Sequence, residues 1–282
     1  MKKGVYTKGQ VSAFVIIGIL IVIILIGVYT FKIKNDAEIS NEFFSQQEIK
    51  PQLENIQSNI LWCLDENSRK GLETIGIQGG YYHKPDKSFD LENEFVPYYY
   101  YQGNYLMPSH EKITSELKDF VEDKVNVCLN ELIFDDFQLK HTKPEANVVI
   151  NEDEVVFEFD SSVTIKRGGK RAIFETKDYP VKQVSALNDI LSVAEYITNS
   201  HKIDSKMHCA SCIVKIAEEK DVYVRNIPFS NDSVLIIIGE NRTSDKPYLF
   251  NFLNKYTNKE ISDDFILTGE YAEKSPESSG GV

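Results

Sequence analysis

The feature that most constrains this chain is an uncharged stretch near its start. Residues 9–31 contain no Asp, Glu, Lys or Arg and are rich in Ile and Val. As an α-helix, this stretch would be roughly 34 Å long, enough to cross a hydrocarbon core of about 30 Å. It is longer than the apolar region of about 7–15 residues in cleaved secretory signals, and no small-residue cleavage pattern follows it. The sequence therefore predicts a transmembrane helix over residues 11–31.

The lysines on either side of the predicted helix suggest its orientation. Lys2, Lys3 and Lys8 precede it, whereas Lys32 and Lys34 follow it. Because positive residues are enriched on the cytoplasmic side, this bias favours a cytoplasmic N-terminus over residues 1–10. We therefore expect a juxtamembrane stalk over residues 32–50, an extracytoplasmic domain over residues 51–272 and a disordered tail over residues 273–282. The predicted location is the cell membrane.

The chain as a whole is acidic, with a formal net charge of -12 at pH 7. Nucleic-acid binding needs clustered Lys and Arg to neutralise phosphates, so we exclude nucleic acid as a partner. The lipid bilayer is the partner that the sequence predicts directly. Other copies of the chain, envelope proteins and glycans are further candidates.

The residues before the apolar stretch carry a resemblance to a known family. Residues 8–12 read Lys-Gly-Gln-Val-Ser, and this start resembles the class III signal peptides of archaeal type IV pilin-like proteins. The resemblance implies that a membrane peptidase cuts between Gly9 and Gln10, and that the apolar helix then serves as an anchor or a filament core. The family often has a Glu at the fifth mature position, which is Phe14 here. A pilus subunit and an anchored protein that shares only the leader both stay open.

Apolar residues recur at helical spacing in four later segments. The first helix follows Pro51 and is weakened near its end by Gly71 and Gly76. The second follows Ser109, a candidate N-cap. The third and fourth cover residues 184–197 and about residues 209–220. Residues 248–256 also fit a short amphipathic helix, and the tyrosine-rich residues 81–106 are expected to be irregular.

Elsewhere the apolar period changes to two, which indicates strands. Residues 148–150 and 155–159 flank a polar turn, and residues 163–165 and 172–174 flank the Gly168-Gly169 turn, a pattern that favours a hairpin. Residues 222–224 and 234–238 are predicted to form two further strands. Together these elements predict an α+β fold in which helices pack on a mainly antiparallel sheet outside the membrane.

All four cysteines, Cys63, Cys128, Cys209 and Cys212, follow the predicted membrane helix. An even number outside the cytoplasm favours disulfides, and three pairings are possible. Pairing Cys63 with Cys128 and Cys209 with Cys212 is the simplest, because Cys63 and Cys128 each lie on the apolar face of a predicted helix. In the chain-entropy model, the long loop contributes roughly 4 kcal/mol and the short one roughly 2. The short bridge therefore contributes less to stability, which makes it the better candidate for a chemical role.

Two alternatives exist for the second cysteine pair. Residues 208–212, His-Cys-Ala-Ser-Cys, have the spacing of a dithiol redox site, and both the helix N-terminus and the His favour a thiolate. This spacing supports a membrane-tethered thiol–disulfide oxidoreductase as the alternative function. Zinc binding by these cysteines with His201 and His208 fits less well, because structural zinc sites usually use two separated ligand pairs. We predict no metal and no cofactor.

Four consecutive tyrosines, Tyr98, Tyr99, Tyr100 and Tyr101, are candidate binding residues. Tyrosine offers a flat apolar surface with a polar tip, which suits contact with sugars or proteins, although packing in a core is the alternative. Successive residues of a strand point to opposite faces, so these four side chains cannot all face inward.

The remaining motifs concern modification and catalysis. Asn231 and Asn241 begin glycosylation sequons, with unmodified surface turns as the alternative. The sequence has no nucleophile elbow, no HExxH motif, no phosphate loop and no calcium loop. It therefore predicts a non-enzymatic, membrane-anchored cell-surface protein acting in adhesion, envelope assembly or pilus-like association.

Overall fold

The computed structural model describes residues 50–203, 210–241 and 247–257. Over these ranges the chain has an α+β fold with four α-helices and a mainly antiparallel arrangement of strands, which confirms the predicted fold class to that extent. The helices are α1 (Lys50–Ile77), α2 (His110–Glu131), α3 (Leu187–Ile203) and α4 (Ala210–Glu219).

Twelve strands accompany the helices in these ranges. In chain order they are β1 (Ser88–Leu91), β2 (Glu94–Tyr101), β3 (Asn104–Tyr105), β4 (Gln138–His141), β5 (Glu145–Ile150), β6 (Glu154–Asp160), β7 (Ser162–Arg167), β8 (Lys170–Glu175), β9 (Val181–Val184), β10 (Val222–Ser230), β11 (Ser233–Glu240) and β12 (Leu249–Lys255). Both predicted hairpins are confirmed as β5–β6 and β7–β8, and the two further predicted strands are β10 and β11.

None of the helices in the described ranges combines the length and the apolar character that crossing a membrane requires. The predicted membrane helix at residues 11–31 lies outside these ranges, as do the N-terminal flank, the stalk up to residue 49 and the tail at residues 273–282.

The described residues form two compact units. The first contains α1 up to Asn59, residues 132–142 and the β7–β8 hairpin. Its strands pair in the order β4-β7-β8, all antiparallel. Gly168 and Gly169 both have positive φ, as the predicted two-residue hairpin turn requires. Arg167 donates a hydrogen bond to Gln52 Oε1 (2.7 Å), and its guanidinium lies 5.1 Å from the centroid of the Phe137 ring.

The second unit contains the rest of α1, the other three helices and two sheets. One sheet has the antiparallel order β5-β6-β9. The other has the order β1-β2-β12-β11-β10, with β3 also paired to β2. Every strand pair of this larger sheet is antiparallel except β2–β12, which is parallel.

Helix α1 buries the apolar face that its periodicity predicted. The buried residues of this face are Leu53, Ile56, Ile60, Cys63, Leu64, Leu72 and Ile75, each at most 5% exposed. The helix also continues through both glycines that were expected to weaken it. A methyl group on Gly71 would lie 3.1 Å from side chains of α2, and one on Gly76 would lie 2.3 Å from the carbonyl oxygen of Leu249. These glycines therefore let α1 pack closely on α2 and on β12.

The end of α1 is fixed by two further glycines with positive φ, Gly79 and Gly80. The N–H of Gly80 donates to the carbonyl oxygen of Ile75 at 2.7 Å, a bond that closes the last helical turn. A methyl group on Gly79 would lie 2.5 Å from the carbonyl oxygen of Asn251. The turn after α1 is thus set directly on the backbone of β12.

Three sequence-based assignments of secondary structure are wrong. Residues 248–256 form strand β12 rather than an amphipathic helix, and Phe250, Phe252 and Leu253 are all fully buried in it. Residues 81–106, expected to be irregular, contain β1, β2 and β3. Val184 ends β9 and is 73% exposed instead of opening the third helix, which begins at Leu187.

Candidate functional site

The first cysteine pair forms a disulfide between Cys63 of α1 and Cys128 of α2. The two Cα atoms are 5.9 Å apart, and Cys63 is fully buried. This is the pairing that the helical faces predicted, and the structure confirms it. The bridge encloses the turn after α1 together with strands β1 to β3.

The second pair is described only in part. Cys212 lies in the first turn of α4, is partly buried and is disulfide-bonded. Cys209 lies outside the described residues, so its pairing with Cys212 stays a prediction. A sulfur held in a disulfide is not the thiolate that zinc requires. Within the described ranges, moreover, no cluster of His, Cys, Asp and Glu is arranged to hold a metal ion.

Two of the four candidate binding tyrosines are core residues, which corrects the prediction for them. Tyr99 is fully buried, stacks on Phe252 with ring centroids 4.3 Å apart, and donates its hydroxyl hydrogen bond to the carbonyl oxygen of Gly79 (3.0 Å). Tyr100 is 5% exposed, and its ring centroid lies 5.8 Å from that of Tyr256. Neither ring is available to a partner.

A β-bulge explains why adjacent tyrosines are both buried. In the β2–β12 pairing, Leu253 is opposite Tyr98 but Asn254 is opposite Tyr100, so Tyr99 is an extra residue on β2. An extra residue interrupts the alternation of side chains along a strand. As a result, the partly exposed Tyr98 and Tyr101 come together, with ring centroids 5.1 Å apart in an edge-to-face arrangement.

Two lysines and an aspartate complete what we call the tyrosine cluster: Tyr98, Tyr101, Lys87, Lys255 and Asp232. The ammonium groups of Lys87 and Lys255 lie 5.0 and 5.7 Å from the centroid of the Tyr101 ring, within cation–π range. Lys255 also pairs with Asp232 at 3.2 Å. The cluster thus combines aromatic surface with polar groups, the combination that suits binding of a sugar or a polypeptide.

The charges of the Lys255–Asp232 pair are mutually stabilised. A hydrogen bond from Ser230 is the main reason that the pKa of Asp232 is below its usual value, and the pairing with Lys255 lowers it further. The hydrogen bond to Asp232 in turn raises the pKa of Lys255. Both groups are therefore charged at neutral pH, and the pair holds the β10–β11 turn next to the tyrosines.

A second exposed surface, the phenylalanine patch, consists of Phe89 and Leu91 of β1 and Ile227 and Phe229 of β10. These side chains are 38%, 47%, 40% and 38% exposed. Although β1 and β10 are the opposite edges of the sheet, the rings of Phe89 and Phe229 are only 4.6 Å apart. Phe229 is itself a bulge residue, because Pro228 pairs with Val234 and Ser230 with Ser233. The ring contact thus joins exposed apolar side chains of both edge strands.

Sequence analysis did not identify the buried carboxylate of Glu116 on α2, which is 1% exposed. It accepts hydrogen bonds from the backbone N–H groups of Tyr82 (2.9 Å) and His83 (2.7 Å), and it pairs with Lys112 (2.5 Å). Burial raises its pKa, but the hydrogen bonds from Lys112 and the two amides outweigh burial, and the pKa is lowered overall. Because two of its partners are backbone amides of the segment that follows α1, Glu116 fixes the turn after α1.

An open cavity of about 620 Å³ also lies in the second unit, lined by α1, the end of β9 and residues of β11 and β12. Its charged side chains are paired within the protein, whereas the buried hydroxyl of Tyr248, which also lines the cavity, has no hydrogen-bond partner among the described residues. The guanidinium of Arg69 pairs with Glu66 and Glu73, and the carboxylate of Glu240 accepts the backbone N–H of Tyr248 at 3.1 Å. The charged groups that line the cavity are therefore already engaged within the protein.

The two candidate glycosylation sites differ in their surroundings. Asn231 is exposed in the turn between β10 and β11, next to Asp232 of the tyrosine cluster. Asn241 follows β11 and donates its side-chain amide to the carboxylate of Asp221 (3.3 Å), while the rest of its sequon lies outside the described residues. Gly9 and Gln10, the predicted processing site, also lie outside them.

Comparison of the chain with protein family models, curated proteins and solved structures found no match in any of the three.

Proposed function

We propose that the chain is a single-pass membrane-anchored cell-surface protein whose α+β domain acts outside the cytoplasm by binding rather than catalysis. Adhesion, envelope assembly and pilus-like association are the processes that fit this description. The observation that carries the proposal is the disulfide-bonded state of Cys63, Cys128 and Cys212, all C-terminal to the uncharged stretch. Structural disulfides are typical of oxidising compartments and rare in the cytosol of most organisms.

The tyrosine cluster supports binding as the mode of action. Tyr98 and Tyr101 present adjacent, partly exposed rings, and Lys87 adds a positive charge beside them. Partly exposed aromatic residues of this kind bury large area at small entropic cost when a partner binds. We expect the tyrosine cluster to bind a glycan or protein of the envelope, or another copy of the chain.

The proposal is tested by locating the full-length chain in cells. We expect it to stay in the membrane fraction after alkaline carbonate washing, and we expect its domain to be digested by protease added outside intact cells. A variant lacking residues 11–31 is the matched control and should leave the membrane fraction. Recovery of the full chain in the aqueous fraction without detergent would contradict the proposal. Free thiols that face the cytosol would contradict it equally.

Identifying the first residue of the mature protein tests the hypothesis of a pilus-like subunit. Cleavage after Gly9 leaves Gln10 as the first residue, which mass spectrometry of the purified protein detects directly. A Gly9→Leu variant controls for cleavage elsewhere and should keep the leader. If the mature protein begins at Met1, the processing expected for a pilin-like subunit does not occur. The hypothesis of an uncleaved membrane anchor then remains.

A thiol–disulfide oxidoreductase that uses Cys209 and Cys212 is the second candidate function. The observation that favours it is the bonded, partly buried Cys212 in the first turn of α4, where helix geometry favours a thiolate after reduction. Measurement of the reduction potential decides the case, since a value below about -300 mV marks an inert structural bridge. A Cys63→Ser/Cys128→Ser variant isolates the second pair for this measurement.

A further inference from the structure

The phenylalanine patch is the most concentrated exposed apolar surface on the larger sheet. Single exposed apolar side chains are ordinary on protein surfaces, but contiguous groups mark sites that something covers. Here the contact between Phe89 and Phe229 makes the group contiguous across both edge strands. Two cations belong to the same edges of the sheet: Lys87 precedes β1, with its ammonium 5.0 Å from the centroid of the Tyr101 ring, and Arg225 lies on β10. Neither cation has a carboxylate partner among the residues that the structure describes.

The described chain ends next to this patch. Strand β12 finishes at Lys255, and the N–H of Tyr256 donates to the carbonyl oxygen of Asp232 at 2.7 Å. Asp232 is in the turn that directly follows β10, three positions after Phe229. The described chain therefore ends, at Thr257, beside the turn that connects β10 to β11.

The sequence that follows has the chemistry to complement the patch. Residues 263–267 read Asp-Asp-Phe-Ile-Leu, in which three large apolar side chains follow two carboxylates. Phe265 lies eight positions after Thr257, an extended reach of roughly 26 Å. This reach exceeds the three positions that separate Phe229 from Asp232, whose carbonyl oxygen accepts the N–H of Tyr256. The carboxylates of residues 263–267 oppose the charges of Lys87 and Arg225.

We propose that residues 263–267 bind the phenylalanine patch of their own chain, with Phe265, Ile266 and Leu267 on the apolar side chains and the aspartates toward Lys87 and Arg225. Tethering favours this occupant over any free partner, because a short linker gives an effective concentration in the millimolar range. The proposal concerns this patch alone and holds whether or not the proposed cell-surface function is correct.

Hydrogen exchange of the full-length protein in detergent or lipid nanodiscs tests the proposal. In the unmodified chain, we expect the amides of residues 263–267 to exchange at least about tenfold more slowly than in an unstructured peptide. Replacing Phe265, Ile266 and Leu267 together by Ser should abolish this protection and speed exchange in β1 and β10. The control variant, in which Ser275, Ser278 and Ser279 are replaced by Ala, should leave both regions unchanged.

Reciprocal variants test the patch side. Phe229→Asp should remove the protection of residues 263–267, whereas Val127→Asp, at an exposed apolar residue of α2, should not. Exchange of residues 263–267 at the unstructured rate in the unmodified chain would overturn the proposal. So would protection of β1 and β10 that survives the triple serine variant and rises with protein concentration, because a second copy would then be the occupant.

Discussion

Gly76 of α1 lies against the carbonyl oxygen of Leu249 in β12, so close that a methyl group on Gly76 would be 2.3 Å from that oxygen. Backbone cannot move aside as a side chain can, so Gly76→Ala should force α1 away from the sheet. We expect it to lower the free energy of unfolding by about 2 kcal/mol, as overpacking does in other cores. Urea denaturation of the full chain measures the change.

Gly71→Ala is the matched control for this prediction. A methyl group there would lie 3.1 Å from three side chains of α2, and side chains can adjust by a few tenths of an ångström. Alanine also favours the helix by about 1 kcal/mol over glycine. The two effects should nearly cancel, so equal destabilisation by both variants would contradict the special role of the Gly76–Leu249 contact.

The disulfide between Cys63 and Cys128 closes a loop with a sequence separation of 65 residues. In the chain-entropy model, its removal by Cys63→Ala/Cys128→Ala should lower the free energy of unfolding by about 4 kcal/mol. Removal of the second pair by Cys209→Ala/Cys212→Ala should cost only about 2 kcal/mol if those cysteines pair, because that loop is far shorter. Chemical denaturation of both variants without reductant gives the comparison, and the reverse order would refute it.

Because Glu116 stabilises the fold only when it is ionised, the free energy of unfolding should fall in acid. Its pKa in the folded protein is below the ordinary value of about 4.5, so the unfolded chain binds the proton more readily than the folded chain does. The contribution of Glu116 is therefore complete above about pH 4.5 and is lost as the pH falls through the lowered folded pKa. Denaturation at a series of pH values from 3 to 7 should show this loss.

Two substitutions separate Glu116 from the other carboxyl groups. Glu116→Gln should reduce stability at pH 7 by about 2 kcal/mol, since hydrogen bonds to a charged group weaken, and it should flatten the acid dependence. Glu131→Gln, at the exposed end of α2, should change neither quantity. An unchanged acid slope in Glu116→Gln would show that the carboxylate does not hold the turn.

The buried hydroxyl of Tyr99 should matter more than that of Tyr101. Tyr99→Phe removes the hydrogen bond to the carbonyl oxygen of Gly79 and leaves that oxygen short of a partner, which should cost about 1–2 kcal/mol. Tyr101→Phe changes a partly exposed residue and should alter stability by less than about 0.5 kcal/mol. Thermal unfolding of both variants checks the difference, and similar melting temperatures would argue against it.

The helices were predictable because their periodicity reflects a single buried face. Strand β12 was not, because its successive residues Phe252, Leu253 and Asn254 are all buried, and a strand covered on both sides shows no alternation. A run of this length with apolar residues on both sides can equally fit a helix. Its position between β2 and β11 is a tertiary property that no local pattern contains.

The sequence predicted that tyrosines would form the candidate site, but it did not predict which of the four would be exposed. The run of four tyrosines correctly indicated that some must reach the surface, but which two depends on the bulge at Tyr99. That bulge arises from pairing with a strand near the other end of the described chain. The phenylalanine patch was missed for the same reason, because Phe89 and Phe229 lie on strands far apart in the sequence and meet only in the tertiary structure. The Cys63–Cys128 pairing was found because both residues belong to periodic helices.

The parallel pairing of β2 with β12 also sets when the protein can finish folding. Leu253 pairs with Tyr98, more than 150 residues earlier, so the central strand of the larger sheet is synthesised after all the other strands that the structure describes. Until β12 has left the ribosome, Tyr99 and the glycine turn after α1 lack the strand on which they pack. The apolar faces of the helices stay exposed to solvent during this time. Such late, long-range closure is slow and leaves an intermediate that is prone to aggregate. We therefore expect the nascent chain to depend on chaperones until β12 emerges.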